Sequence, residues 1–151
     1  VQSTKVLRRL FVFKGLSQIQ LAQFNKVMEV RQVPAGTRIT EEGATADCMY
    51  ILLSGQVRVL KRGTNGEETV ATLGASEHFG EIALIDHAPR SASVEATTDS
   101  ELSVLARDAF ERILREFPEA RLRIYENFLE SLCDRLRAAN ENLLLSVQPD
   151  S

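Results

Sequence analysis

The apolar positions of this chain change period twice. In "GLSQIQLAQFNKVMEV", Ile19, Leu21, Phe24, Val27 and Met28 recur at roughly helical spacing, which predicts one amphipathic helix. Ser17 and Gln20 stand three apart at its start, the spacing of a capping box. Residues 5–13 predict a shorter helix before it. From about residue 31 to residue 107 the apolar runs become short: "CMYILLSG", "QVRVLKR", "ETVATLG" and "SASVEATTDSELSVL". Seven of the eight glycines fall between Gly36 and Gly80, so closely spaced turns separate these runs. Short strands with glycine-rich turns predict a sandwich, a jelly roll or a barrel. "VPAGTRI" and "EEGATAD" read as turns. Asn65-Gly66 accepts positive φ and predicts a hairpin.

A helical period returns over residues 108–147. "RDAFERILREF" reads as one helix with Asp108 as its candidate cap, and Pro118 then interrupts. Leu122, Tyr125, Leu129, Leu132, Leu136, Ala139 and Leu143 alternate spacings of three and four, the signature of a coiled-coil seam. A helix over 119–147 would be a rod of roughly 43 Å. A small domain seldom needs that length to cover itself, so this segment is expected to form a homodimer. Packing against the chain's own core is the alternative. The last four residues, "QPDS", are expected to fray.

Composition narrows the partners. A chain of 151 residues, 44% hydrophobic, is long enough for one globular domain with a real core. A net charge of −3 provides no basic face, which argues against direct nucleic-acid binding by this chain. Lys and Arg are dispersed, so no polybasic membrane patch stands out. No apolar run approaches the roughly 18 residues of a membrane span, and no signal-peptide pattern opens the chain. Cys48 and Cys133 are expected to be buried and reduced, which fits a cytoplasmic protein. His78 and His87, both expected at the surface, have no second pair with which to hold a metal. No nucleophile and base stand in register, so no enzyme is expected. The first residue is Val, which predicts a fragment or a chain lacking its first residues.

The chemistry concentrates in "FGEIALIDHAPRSA", residues 79–92. Gly80 lets a ligand approach bare backbone. Glu81 to Leu84 can form one helical turn whose exposed N–H groups favour an anion. Arg90 supplies a planar fork for two phosphate oxygens, and Ser91 can donate one more hydrogen bond. A carboxylate cannot pair with that anion, so Glu81 must accept from something else, such as a ribose hydroxyl. The segment can therefore hold a small phosphorylated sugar ring. The competing reading is a plain Glu81–Arg90 salt bridge across a turn.

These residues resemble the phosphate-binding cassette of the cyclic nucleotide-binding domain family. The resemblance covers roughly residues 10–145. "GLSQIQLAQF", "VPAGTRITEEGATADCMYILLSGQVRVL" and "ELSVLARDAFERIL" follow in the family's order. It implies an α+β fold: an antiparallel β-jelly roll (double-stranded β-helix) with N-terminal helices and a long C-terminal helix. The segments would be 1–30, 31–107 and 108–147, making one domain. It also implies that Gly80 and Ala83 offer backbone N–H groups to a cyclic phosphate, that Glu81 takes the ribose 2′-hydroxyl, and that Arg90, aided by Ser91, binds the phosphate. Ile82 and Ala92 complete the cassette's share of the site. Val59, Val70 and Ala71 would line the sugar and base pocket or belong to the core. Asn140, on the long helix, stands where family members contact the purine. The implied ligand is cAMP, or cGMP if the Ser91 hydroxyl selects for it. Binding would draw the cassette inward and shift the last helices about a hinge near Pro118, regulating an attached or partner effector. Family members that bind DNA continue into a helix-turn-helix, for which this chain leaves no room. The alternative is a module that has lost its ligand and only dimerises a larger transporter, channel or regulator.

Overall fold

The computed structural model describes residues 4–146. Val147 and the fraying expected of residues 148–151 lie outside the described residues. The N-terminal segment folds as α1 (Thr4–Arg8), a 3₁₀ turn (Phe11–Phe13) and α2 (Gln18–Val27). Eight strands follow: β1 (Glu29–Val33), β2 (Arg38–Thr40), β3 (Cys48–Ser54), β4 (Val57–Gly63), β5 (Gly66–Leu73), β6 (His78–Phe79), β7 (Ser93–Ala96) and β8 (Ser100–Ala106). A second 3₁₀ turn, Glu81–Leu84, interrupts them, and α3 (Arg107–Glu116) and α4 (Pro118–Ser146) close the chain.

The strands pair antiparallel in two four-stranded sheets, ordered β1-β8-β3-β6 and β2-β7-β4-β5. This is the jelly roll that the family resemblance implies, one of the three folds that the turn spacing left open. Strand β3 explains its layering. Its alternate residues face opposite sides, and Cys48 to Leu52 are all buried. Cys48, Tyr50 and Leu52 point between the sheets, where they meet Val57, Phe79, Val94, Leu102 and Val104. Met49 and Ile51 point the other way, into a second core built with Leu7, Phe13, Phe24, Phe110, Leu114, Ile124 and Phe128 of the helical segments. A continuous apolar run therefore serves as a wall for two cores.

Local chemistry sets the ends of the elements. Ser17 Oγ accepts from Gln20 N at 3.2 Å and Gln20 Oε1 accepts from Ser17 N at 2.9 Å, so the capping box forms. Asp108 is not a cap. The chain enters α3 through Ala106, and the Arg107 N–H is already satisfied by the Asp47 carbonyl at 2.8 Å. Asp108 lies in the first turn instead, where the helix dipole favours an acid. In the β4–β5 hairpin Gly63 pairs with Gly66, and Gly66 alone takes positive φ, +103°. Ile19, expected to face the core, is exposed because Leu21 and Phe24 set the buried side of α2.

Helix α4 buries Ala120, Ile124, Asn127 and Phe128. Asn127 Nδ2 donates to the carbonyls of Val12 (3.0 Å) and Lys14 (2.9 Å), which fixes the first 3₁₀ turn on the helix. The seam residues Leu122, Leu129, Leu132, Leu136 and Leu143 are exposed. Cys133 is exposed as well, against expectation, because it lies beyond the part of α4 that reaches the core. Among the described residues, no helix is long and apolar enough to cross a membrane.

Candidate functional site

Strand β6 delivers the chain to Gly80, which sits in the left-handed region at φ 76°. That conformation suits glycine and turns the backbone directly into the Glu81–Leu84 turn. A Cβ at Gly80 would collide with Nη1 of Arg90. Leu84 and Ala83 are buried, and Leu84 anchors the turn to the helical core. Farther along, the backbone of Arg90 is clamped by the β2–β3 loop. Its N–H donates to the Ala44 carbonyl and its carbonyl accepts from Gly43 N, both at 2.8 Å.

The Arg90 side chain rests on β3. Nη2 donates to the Cys48 carbonyl at 2.8 Å and contacts Cys48 Sγ at 3.5 Å. The guanidinium lies 5.6 Å from the centroid of the Tyr50 ring, within cation–π range. Tyr50 in turn stacks on Phe79 at 4.9 Å. Burial pushes the Tyr50 phenol up to about 12, so the ring beneath the guanidinium stays neutral. Among the described residues, no carboxylate stands within ion-pair distance of Arg90.

Glu81 is not bridged to Arg90. Its buried carboxylate accepts through Oε1 from Arg135 Nη2 of α4 at 2.8 Å, and Oε2 lies 3.8 Å from His78 Nε2. His78, expected at the surface, is largely buried, with its ring 5.5 Å from that of Phe11. Burial pushes its pKa down, against the pull of the nearby Glu81 charge.

These groups line a cleft of about 390 Å³. Gly80, Glu81, Ile82, Ala83, Arg90 and Ser91 all face it, joined by Ala46, Asp86, Ala88, Pro89 and Arg135. Ala83 N–H donates to the Gly80 carbonyl at 3.2 Å, while its carbonyl accepts from Arg107 Nη1 at 3.1 Å. Ala92 stands behind the cleft, its carbonyl accepting from Thr40 Oγ1 at 3.3 Å. Val59 is half-buried on β4 opposite Val94 and Ala71. Val70 and Ala71 are exposed on β5, and Asn140 is exposed on α4. Ala92, Val59, Val70, Ala71 and Asn140 are not among the residues lining the cleft.

Sequence reasoning missed Arg135, Tyr50 and the Cys48 carbonyl. A buried acid needs a cation, so Glu81 signalled that a partner was required. Several arginines of the last helix were eligible, and only the fold selects Arg135. The cleft thus offers a positive fork without a counter-ion, a buried carboxylate with one oxygen engaged, and bare backbone at Gly80. That combination suits an anionic group attached to a hydroxyl-bearing ring.

The sequence and the fold are both similar to those of known proteins. The family pattern described as the cyclic nucleotide-binding domain matches residues 30–117. The chain is 32% identical over 140 residues to a CRP-like cAMP-activated global transcriptional regulator of Mycobacterium tuberculosis, covering 92% of this chain and 61% of the regulator. It therefore spans about three-fifths of that relative's length. Among solved structures, the catabolite activator protein of Thermus thermophilus is similar with a TM-score of 0.77 and 34% identity, over 91% of this chain and 63% of that one. The regulatory domain of Toxoplasma gondii PKA, crystallised with cAMP, is similar with a TM-score of 0.71 and 32% identity, over 85% of this chain and 49% of that one.

The Gly80 geometry can be tested directly. Gly80→Ala adds a side chain in a left-handed conformation and against the Arg90 fork, and is expected to cost about 1–3 kcal/mol of stability in urea unfolding. Wild-type stability in this variant would show that the turn does not need glycine.

Proposed function

Because the chain belongs to the cyclic nucleotide-binding domain family, we propose that this cleft binds a cyclic nucleotide, cAMP in preference to cGMP, and that the chain is the sensor unit of a regulator. The observation that carries this reading is Arg90. It lines the cleft, is held from behind by β3 and has no acidic partner among the described residues, so its charge is left for an anion. The cyclic phosphate would sit between the Arg90 fork, the Ser91 hydroxyl and the backbone N–H groups of Gly80 and Ala83. The Ala83 N–H is held meanwhile by a turn bond of only 3.2 Å. Glu81 would accept the ribose 2′-hydroxyl on the oxygen that Arg135 leaves open. Val59, Val70 and Ala71 would complete the sugar and base wall together with the Ile82 and Ala92 ends of the cassette, and the Asn140 amide would meet the purine. The relatives named for cAMP support that choice of base.

Charge-assisted hydrogen bonds contribute about 1.5–3 kcal/mol each, and 1.4 kcal/mol is tenfold in affinity. Calorimetry should therefore find cAMP binding by the wild type that weakens roughly 10- to 100-fold in Arg90→Ala, with cGMP the poorer competitor. No binding at millimolar cAMP would refute the reading and leave a dimerising module without a ligand. Tenfold tighter cGMP would reverse the choice of base.

The signal would leave the site through Arg107. This residue opens α3 and bonds the Ala83 carbonyl, so movement of the cassette turn is felt at α3 and at the joint before Pro118. Pro118 is the first residue of α4, where its missing N–H costs no helical bond. Hydrogen exchange over residues 113–121 should change when cAMP is added. Identical exchange with and without nucleotide would place the moving part elsewhere.

Dimerisation through 119–147 is the second element of the reading. Leu122, Leu129, Leu136 and Leu143 are each more than 60% exposed along one helix, an arrangement stabilised by pairing with a second copy. Sedimentation should show a wild-type dimer and a monomeric Leu136→Asp. A monomeric wild type would rule the interface out.

A further inference from the structure

Glu81 faces two cationic or potentially cationic groups, and they hold different oxygens. Arg135 Nη2 takes Oε1 at 2.8 Å. His78 Nε2 stands 3.8 Å from Oε2, close enough to attract it but beyond hydrogen-bond length. The imidazole is confined there, with its ring against Phe11 at 5.5 Å and only a fifth of its side chain exposed. The charged groups that face it are Glu77 beside it on the chain, Glu81 on the 3₁₀ turn and Arg135 on α4, while the first 3₁₀ turn presents the Phe11 ring. Among the described residues no cluster of metal-ligating side chains includes His78, and the nucleotide reading assigns it no contact.

We propose that His78 is a proton-operated competitor for the Glu81 oxygen that Arg135 leaves open, so that acidification weakens nucleotide binding. This inference rests on the cyclic-nucleotide reading of the cleft. With His78 neutral, Oε2 is free to accept from a ribose hydroxyl. With His78 protonated, both ring nitrogens are donors and the imidazolium draws Oε2 into a charge-assisted bond. The hydroxyl then loses its acceptor. The imidazolium also places a second positive charge beside Arg135, so the two cations oppose each other across one carboxylate.

The sign of the pH dependence follows from the surroundings. Burial lowers the pKa of His78, so the ring is neutral above the ordinary histidine value of about 6.5 and becomes charged only below it. Affinity is therefore flat at neutral and alkaline pH and falls as pH drops. One linked proton limits the slope to about tenfold per pH unit. His78 is a positioning residue here: it acts on the ligand only through Glu81.

Two measurements test the proposal. The first needs no nucleotide. In an NMR titration of the His78 ring, Arg135→Ala should raise the midpoint and Glu81→Gln should lower it. A midpoint unmoved by either substitution overturns the competition. The second is calorimetry with cAMP at pH 7.5 and pH 5.5. The wild type should bind more weakly at the lower pH, by less than about tenfold because burial holds the His78 midpoint below the ordinary value. His78→Phe keeps an aromatic ring against Phe11 and should lose much less affinity. His87 is present in both proteins, so its titration is common background. An equal loss in both overturns this proposal and leaves the nucleotide reading standing. No binding by either protein at pH 7.5 overturns the nucleotide reading itself, and the role given to His78 in binding with it.

Discussion

A strand buried on both faces must satisfy its backbone through its neighbours, and β3 does so between β8 and β6 at the centre of one sheet. Much of the candidate site is positioned from it. Its Cys48 carbonyl, near the end of the ladder, accepts the Arg90 guanidinium, and its Tyr50 ring supports the same group from below. Its opposite face, Met49 and Ile51, anchors the helices that bring Arg107 and Arg135 to the cassette. Polar recognition on one side of the molecule and helix packing on the other thus share a single rigid element. A substitution that tilted β3 would disturb both.

Much of this was legible in the sequence because the responsible interactions are local. Ser17 and Gln20 predict a cap that forms, and the glycines at 36, 43, 66 and 80 mark turns that require positive φ. The change from long to short apolar periods places the roll between two helical segments, although β1 already starts at Glu29. What stayed hidden depends on contacts distant along the chain. Asp108 looks like a cap, but α3 already starts at Arg107, whose N–H bonds the Asp47 carbonyl from a distant loop. Glu81 and Arg90 look like a pair until Arg135, 54 residues beyond Glu81, takes the carboxylate. Ile124 and Phe128 lie off the predicted seam, yet they are the residues that dock α4, because the first half of the helix has a core to cover. The heptad pattern describes only the opposite face.

That division makes α4 more than a lid or a dimer helix. Up to Phe128 it is held by buried apolar side chains and by Asn127, an attachment that is costly to break. Beyond Phe128 none of its described residues is buried. Arg135 is a side chain through which this outer half meets the cassette. With the arginine about half exposed, solvent screens its share of the ion pair, which in isolation contributes at most about 1 kcal/mol. For the buried Glu81 the same pair matters more, since a buried carboxylate without a partner is strongly disfavoured. The contact is therefore weakly held from the helix side and firmly required from the cassette side. A sugar hydroxyl or a charged imidazole at Oε2 would share the carboxylate with Arg135, which keeps Oε1, and would so weaken the hold on the outer helix without disturbing the core. The outer half of α4 carries Leu129, Leu132 and Leu136, so a change at one carboxylate is one residue away from the apolar seam.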